Sequence, residues 1–213
     1  QAQAALARYA VRVAGEAAAG LQTTTGEPAA ARWLDAEDAT MGHVLAWAVE
    51  RDLDTAVRLV TALGWWWVLR GRLAGQEPLL RELAGRAGPG SDGWCAAQFW
   101  LARTAEDAPD LPAALERYTA TIDVIEDRGP SRMLMDCLAR QSVTVSNLGR
   151  VPEAARYGRR ALAMARELGY RLGQVHATTS LVITAQYAGD LDDAVQLARQ
   201  AGQIPDIPGT AGR

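Results

Sequence analysis

The sequence predicts an all-α fold in which antiparallel helix pairs stack into an α-solenoid. Three observations lead to this prediction. A short turn pattern recurs at spacings of 38, 40 and 40 residues, which is a period typical of helical repeats. Alanine, leucine and arginine, which favour helices, are abundant, whereas the β-branched and aromatic clusters typical of strands are scarce. The 213 residues, of which 49% are hydrophobic, are enough to bury a substantial core.

The recurring turn consists of a helix breaker, a charged residue and an aliphatic residue. It occurs as Gly71-Arg72-Leu73, Pro109-Asp110-Leu111, Gly149-Arg150-Val151 and Gly189-Asp190-Leu191. The last three turns are followed at a constant offset by Ala114, Ala154 and Ala194. We expect each aliphatic residue to be tucked between two helices, and each alanine to lie where those helices cross closely.

Reading outward from these turns, the sequence predicts the helices in order. Two helices near 2–19 and 34–50 come first. Four pairs follow: 54–70 with 75–87, 95–107 with 112–127, 131–148 with 152–168, and 171–188 with 192–202. The breakers from Gly88 to Gly93 mark the best internal boundary, and Gly20 to Pro28 form a looser connection. We expect no strands.

The four turns and their alanines resemble units of the tetratricopeptide repeat (TPR) family. On this basis the chain divides into an N-terminal helical segment with a first repeat-like pair (1–88), TPR-like repeats (94–204) and a flexible tail (205–213). In TPR folds the first helix of each pair lines an inner face. Because the sequence begins at Gln1 without methionine, we expect it to be a piece of a longer protein.

The stretch before the repeats carries a second resemblance. Its residues are Trp33-Leu34, Glu37, Met41, Leu45-Ala46-Trp47-Ala48, Ala56 to Leu63, Trp67, Leu69-Arg70-Gly71 and Leu73. This order resembles the region after the nucleotide-binding and winged-helix modules of actinobacterial LuxR and AfsR-type transcriptional regulators, which are signal-transduction ATPases. Thr40-Met41-Gly42 departs from the Asn-Leu-Arg that usually opens the second helix there. The resemblance implies a sensor or regulatory arm beside ATPase and DNA-binding modules in the same longer chain.

Charge and motif content argue against several other functions. The net charge of −3 provides no broad basic field for nucleic acid, and the local cluster Arg150, Arg156, Arg159, Arg160 and Arg166 is interpreted as a solvated helix face rather than a phosphate site. No phosphate loop or Gly-x-Ser-x-Gly elbow is present, and no apolar run reaches the length of a membrane span. We therefore expect a non-enzymatic, cytoplasmic protein that does not bind nucleic acid or membranes directly.

Metal and cofactor binding are also not expected. His43 and His176 are the only histidines and belong to different predicted pairs. Cys95 and Cys137 lie in apolar helical patterns typical of buried, reduced thiols. The acidic groups Asp35, Glu37 and Asp38, and Asp190, Asp192 and Asp193, stand at helix starts, where carboxylates ordinarily stabilise exposed amides.

The run Trp65-Trp66-Trp67 allows two interpretations. Three aromatic planes could hold an apolar or cationic ligand. Helical phase instead places Trp66 and Trp67 on apolar faces and Trp65 on the polar stripe, so that Trp65 is the most exposed of the three. We expect core packing for the triplet as a whole, with Trp65 as an exposed aromatic candidate for partner contact.

The main binding hypothesis comes from superposing the first helices of successive repeats. Helix 131–148 packs through Leu134, Cys137, Leu138, Gln141, Val145 and Leu148, which leaves Asp136, Arg140, Val143 and Asn147 on another face. The equivalent positions are His176, Ser180, Ile183 and Tyr187 one repeat later, and Ala96, Trp100, Arg103 and Asp107 one repeat earlier. The predicted partner-binding residues in this groove are Trp100, Arg103, Asp136, Arg140, Asn147, His176 and Tyr187.

This set combines charge, hydrogen-bond donors and aromatic surface, which suits a protein or peptide, or an acidic small ligand. The alternative is a solvated face with local ion pairs, such as Asp136 with Arg140. The sequence therefore favours a non-enzymatic TPR-like regulatory domain of a larger ATP-dependent transcriptional regulator. A stand-alone TPR scaffold that joins two proteins, unrelated to transcription, is the alternative.

Overall fold

The computed structural model describes residues 2–204, and over that range it contains helices and no strand. The α-helices are α1 (Ala2–Gly20), α2 (Glu27–Ala36), α3 (Asp38–Arg51), α4 (Leu53–Leu69), α5 (Glu77–Ala87), α6 (Asp92–Asp107), α7 (Leu111–Ile125), α8 (Arg132–Asn147), α9 (Val151–Glu167), α10 (Arg171–Ala188) and α11 (Leu191–Gly202). Short 3-10 helices lie at Ala74–Gln76 and Glu126–Arg128. The all-α prediction is confirmed, and the predicted tail 205–213 lies outside the described residues.

The second predicted helix differs from the prediction in its continuity and in where it begins. The single helix expected near 34–50 is two helices, α2 and α3, which meet at Glu37. Helix α2 also begins inside the segment predicted as a connection, because Pro28 stands in its first turn, where the missing amide hydrogen is not needed. The proline therefore starts a helix here instead of ending one.

The described chain divides into two compact units at Thr104 and Ala105, inside α6. The breakers from Gly88 to Gly93 instead form the loop between α5 and α6 and the first two residues of α6. In the first unit α4 packs mainly against α1 and α3 rather than against α5, with which the sequence paired it. Four alanines give α1 a small-residue face that is buried in this packing: Ala7, Ala10, Ala14 and Ala17. The predicted pair 54–70 with 75–87 is therefore not the main contact of α4.

Acidic residues of α2 and α3 bind the C-terminal end of α4. Asp35 accepts hydrogen bonds from Trp66 Nε1 at 3.2 Å and from Arg70 Nη2 at 2.6 Å. Asp38 accepts one from Arg72 Nη1 at 2.6 Å. The hydrogen bond from Arg70 lowers the pKa of Asp35, although burial opposes the shift. These carboxylates therefore connect helices distant in sequence, whereas the sequence had assigned them to helix-start amides.

In the second unit α8, α9, α10 and α11 pack in succession. The first helices of the two pairs, α8 and α10, come close enough for a line of buried hydroxyl groups to join them. Thr184 Oγ1 lies 2.9 Å from Ser146 Oγ and 3.4 Å from Ser142 Oγ, and Ser142 also donates to the Ala154 carbonyl. The residues predicted to lie at close helix crossings, Ala114, Ala154 and Ala194, are all buried.

Each of the four predicted turns contains the same kind of backbone hydrogen bond. The amide of the charged residue in each turn donates to a carbonyl five residues earlier: Arg72 to Trp67, Asp110 to Ala105, Arg150 to Val145 and Asp190 to Ala185. This bond belongs to the Schellman motif, in which glycine takes positive φ, as Gly149 does at 76° and Gly189 at 78°. The turn repeat is therefore confirmed at the level of hydrogen bonds.

The aliphatic residue of each turn is not always tucked between helices. Leu73 is buried and Leu111 and Val151 are half-buried, but Leu191 is 66% exposed. The expectation was wrong for Leu191 because no helix pair follows α11 within the described residues to cover it.

Candidate partner-binding face

One face of α8 and α10 carries most of the residues predicted to bind a partner. It is defined here as the α8–α10 face and consists of Asp136, Arg140, Asn147, His176 and Tyr187. Asn147 is exposed and Tyr187 is 54% exposed, whereas the other three are half-buried. All five belong to the second unit, so this face is a property of that unit alone.

Asp136 and His176 occupy equivalent positions one repeat apart, and the structure brings them together. His176 Nδ1 lies 3.5 Å from Asp136 Oδ1. The histidine side chain keeps 25% of its surface exposed and the aspartate side chain keeps 16%. The two side chains therefore lie side by side with part of each reachable from solvent, and they offer both a carboxylate and an imidazole to an incoming group.

Arg140 is held by Glu106, a residue at the end of α6 that has only 7% of its side chain exposed. The Arg140 guanidinium donates to Glu106 Oε2 through Nη2 at 2.6 Å and Nε at 3.2 Å. Thr144 Oγ1 donates to the other carboxylate oxygen at 2.6 Å, and the Tyr118 hydroxyl also donates to Oε2. The Glu106 carboxylate thus accepts hydrogen bonds from charged and neutral donors, and each of its two oxygens accepts at least one.

This network raises the pKa of Arg140. Burial is the largest single effect and by itself would lower that pKa, but the charges and hydrogen bonds of Glu106 and Tyr118 together outweigh it. Because the guanidinium already binds a carboxylate, its first role is structural, and an anionic ligand would have to compete with Glu106 for it. The alternative local pair of Arg140 with Asp136 is replaced by this contact between helices.

Two predicted binding residues are not at the surface. Trp100 is 3% exposed and Arg103 is 8% exposed, and both lie in the first unit. Trp100 packs where Gly64 leaves room, since a Cβ at Gly64 would lie only 2.0 Å from the Trp100 ring. The prediction placed these residues on an open face because it considered the phase of α6 alone, without the helix that covers it.

Trp65 is the most exposed of the three consecutive tryptophans, as predicted from helical phase, while Trp66 and Trp67 are buried. It is nevertheless only half-buried rather than exposed. Its ring makes an edge-to-face contact with Trp100, with centroids 5.5 Å apart and an interplanar angle of 83°. This contact reduces the surface that Trp65 could offer to a partner.

The packing stripe of α8 needs two corrections. Leu148, assigned to the interior, is 38% exposed because α8 ends at Asn147 and Leu148 belongs to the turn. Val143, assigned to the open face, is 9% exposed. Glu106 and Thr144 were missed because nothing in the sequence connects Glu106 to α8 before the fold brings the end of α6 beside it.

The structure also shows the surroundings of the two cysteines and of the arginine cluster. Cys95 and Cys137 are both buried, and they are not joined in a disulfide. In the arginine cluster Arg160 pairs with Glu126 and Arg150 with Glu153. Residues 2–204 hold no group of three or more His, Cys, Asp or Glu side chains arranged to bind a metal ion. Over the same range no helix is both long and apolar enough to cross a bilayer.

Comparison with known proteins shows the fold. No family model matches the sequence, and no curated protein matches it. The structure is similar to the crystal structure of the kinesin-light-chain candidate of Podosopora anserina with nearly identical TPR-like repeats, with a TM-score of 0.58 and 15% identity over 92% of this chain and 93% of that one. It is also similar to BtubC (BKLC) from P. vanneervenii, with a TM-score of 0.62 and 18% identity over 96% of this chain and 91% of the other. The chain therefore has the fold of a TPR-like α-solenoid.

Proposed function

We propose that this chain is a non-enzymatic TPR-like module that binds a protein or peptide on the α8–α10 face. The observation that carries the proposal is the alignment of equivalent positions on two successive first helices. Asp136 of α8 and His176 of α10 are one such pair of positions, and they contact each other. Asn147 and Tyr187 are another pair, and both are exposed. A row of side chains at repeat spacing matches an extended segment, because such a segment also presents its groups at regular intervals.

The chemistry of the face favours a peptide over an acidic small molecule. Asn147 can both donate to and accept from a peptide group, and Tyr187 adds an apolar ring with a hydroxyl. Arg140, the strongest anion-binding side chain of the set, already pairs with Glu106. We therefore assign recognition to Asn147, His176 and Tyr187, and positioning of α8 to Arg140.

At the level of the whole protein, the module is proposed to regulate ATPase and DNA-binding modules of the same longer chain, as in LuxR and AfsR-type regulators. The support is the order of residues from Trp33 to Leu73. The open reading frame upstream of Gln1 tests this. A phosphate-loop ATPase in that frame is the expected result, and a start codon immediately before Gln1 would contradict it.

A stand-alone scaffold that joins two proteins is the second candidate. It is favoured by the likeness to a kinesin-light-chain candidate whose repeats are TPR-like. The two candidates share the α8–α10 face and differ in what lies beside it. Removal of this region from the longer chain should change ATP turnover under the first candidate and leave no ATPase to measure under the second.

Site-specific photo-crosslinking in the source cells tests the binding face directly. A photoreactive amino acid replaces Asn147 or Tyr187, and matched controls replace Arg156 or Arg159, which are exposed on α9. We expect one discrete crosslinked partner from positions 147 and 187 and none from positions 156 and 159. Equal crosslinking from both pairs of positions would contradict the assignment of this face.

A further inference from the structure

Helix α11 presents a line of exposed residues along its whole length. These residues are Leu191, Val195, Ala198 and Gly202, and they are called the α11 seam. Leu191 is 66% exposed and Val195 is 49% exposed, and Ala198 and Gly202 are exposed as well. Ala194 is the one residue of α11 that is fully buried. The successive spacings of four, three and four residues are those of a helix that packs against another helix.

We propose that a second copy of this chain covers the α11 seam, with the two α11 helices antiparallel across a twofold axis. The interface would be isologous, because the same seam is used by both copies. This proposal concerns the outer surface of α11 and does not depend on the partner-binding role of the α8–α10 face. Two independent features of the seam favour the antiparallel second copy.

The first feature is the order of side-chain sizes. An antiparallel pair places Leu191 opposite Gly202 of the second copy and Val195 opposite Ala198 of the second copy, so that a large residue always meets a small one. A parallel pair would place leucine against leucine at one end and glycine against glycine at the other. A Cβ added at Gly202 would meet nothing within 4 Å among residues 2–204, so nothing in the described chain fills the space at this glycine. Only the antiparallel arrangement fills the seam evenly.

The second feature is charge. Asp192 and Arg199 are seven residues apart, about two helical turns, and therefore lie on the same flank of the seam. Neither forms an ion pair within residues 2–204. In the antiparallel pair Asp192 of each copy faces Arg199 of the other, which makes two equivalent ion pairs. In a parallel pair the two flanks would lie on opposite sides of the seam, and these ion pairs could not form.

Sedimentation equilibrium of the 213-residue chain from about 1 µM to several hundred µM tests the proposal. A seam on one short helix is at the small end of stable interfaces, so we expect a monomer–dimer equilibrium with a dissociation constant on the order of 10 µM. Val195→Asp should remove the dimer over this range, with circular dichroism showing unchanged helix content. A monomer at every concentration, or a dimer that tolerates Val195→Asp, would overturn the proposal and leave the seam to a different partner.

A charge exchange tests the antiparallel register. Asp192→Arg should weaken the dimer about tenfold because each arginine then faces Arg199 of the second copy. Combining it with Arg199→Asp should restore the original affinity. The matched control is Asp193→Arg, which makes the same change in the same helical turn but on the side away from the seam, and should leave the dimer intact. Failure of the double variant to recover, or an equal loss in the control, would overturn the proposed arrangement.

Discussion

The last two helix pairs of the second unit, α8–α9 and α10–α11, use the same turn but bury very different amounts of surface. Both turns contain glycine with positive φ and the bond from the charged residue to the carbonyl five residues earlier. Yet α9 has five buried residues, whereas α11 has one. The turn is a local structure that each pair forms by itself, whereas burial depends on whether another pair packs on the outside.

Equivalent positions therefore take different roles in the two pairs. Gly158 of α9 lies so close to its neighbours that an added Cβ would be 2.7 Å from Leu181 Cδ2 and 3.0 Å from Ser142 Oγ. Ala198, which is 40 residues later in the same position of the repeat, is exposed. The α8–α9 pair, called the inner pair, supplies structure. The α10–α11 pair, called the outer pair, supplies exposed surface. Variants in the two pairs test this contrast.

The largest expected effect comes from the ion pair that supports the inner pair. Arg140→Ala leaves the Glu106 carboxylate buried without its guanidinium and should lower the free energy of unfolding by about 3–5 kcal/mol. Urea denaturation followed by circular dichroism measures the change. Arg150→Ala removes an arginine that is 51% exposed and paired with Glu153, and should cost less than about 1 kcal/mol. Equal losses would mean that burial does not distinguish the two ion pairs.

Apolar truncation should show the next largest difference between the pairs. Leu138 is fully buried in α8, so Leu138→Ala should cost about 2–5 kcal/mol. Val195 is 49% exposed in α11, and Val195→Ala should change the stability by less than about 0.5 kcal/mol. Denaturation at about 1 µM keeps self-association from contributing to either value. A loss above about 2 kcal/mol at Val195 would show that the outer pair is covered within the single chain.

Enlarging the equivalent positions sharpens the contrast. Gly158→Leu should destabilise the chain by about 1–3 kcal/mol, because the new side chain must displace Leu181 and Ser142. At about 1 µM, where the chain is monomeric, the leucine of Ala198→Leu meets solvent and the stability should stay within about 0.5 kcal/mol of the original. Thermal unfolding of both variants measures the difference. Similar melting temperatures would contradict the assignment of Gly158 to a close helix contact.

The smallest expected effect concerns Tyr170, which precedes α10 and joins the two pairs. Burial raises the pKa of its phenol, Asp136 shifts the pKa in the same direction and Arg132 opposes the shift. The folded chain therefore keeps this proton to higher pH than the unfolded chain, whose tyrosines ionise at about pH 10. The resulting stability is complete below about pH 10 and is lost as the pH rises further.

Tyr170→Phe removes this dependence. The original chain should lose about 1 kcal/mol more than the variant between about pH 9 and pH 11. Thermal unfolding across that range measures both slopes. Parallel slopes would show that the phenol does not titrate differently in the folded and unfolded chains.

The parts of the fold that were predictable are those set by nearby residues. The turns at Gly149 and Gly189 follow from a breaker, a charged residue and an aliphatic residue, and their hydrogen bonds span five residues. The order of exposure among Trp65, Trp66 and Trp67 follows from helical phase alone. Both kinds of pattern are complete within one or two turns of chain.

The parts that were not predictable depend on residues far apart in sequence. Arg140 and Glu106 are 34 residues apart, and no local pattern links them. The burial of Trp100 depends on the space left by Gly64 in a different helix. The exposure of Leu191 depends on the absence of a covering pair after α11 in the described range. Packing between helices decides each of these, so phase within one helix was insufficient.

Partner binding on the α8–α10 face is tested most directly by the affinity of the segment that crosslinks at position 187. That segment, prepared as a synthetic peptide, is titrated into the original chain, into a double variant with Asn147→Ala and Tyr187→Ala, and into Arg159→Ala as the α9 control. Binding through the α8–α10 face predicts a dissociation constant at least about tenfold weaker for the double variant and unchanged for Arg159→Ala. Equal affinity for all three proteins would contradict the claim that this face binds the partner.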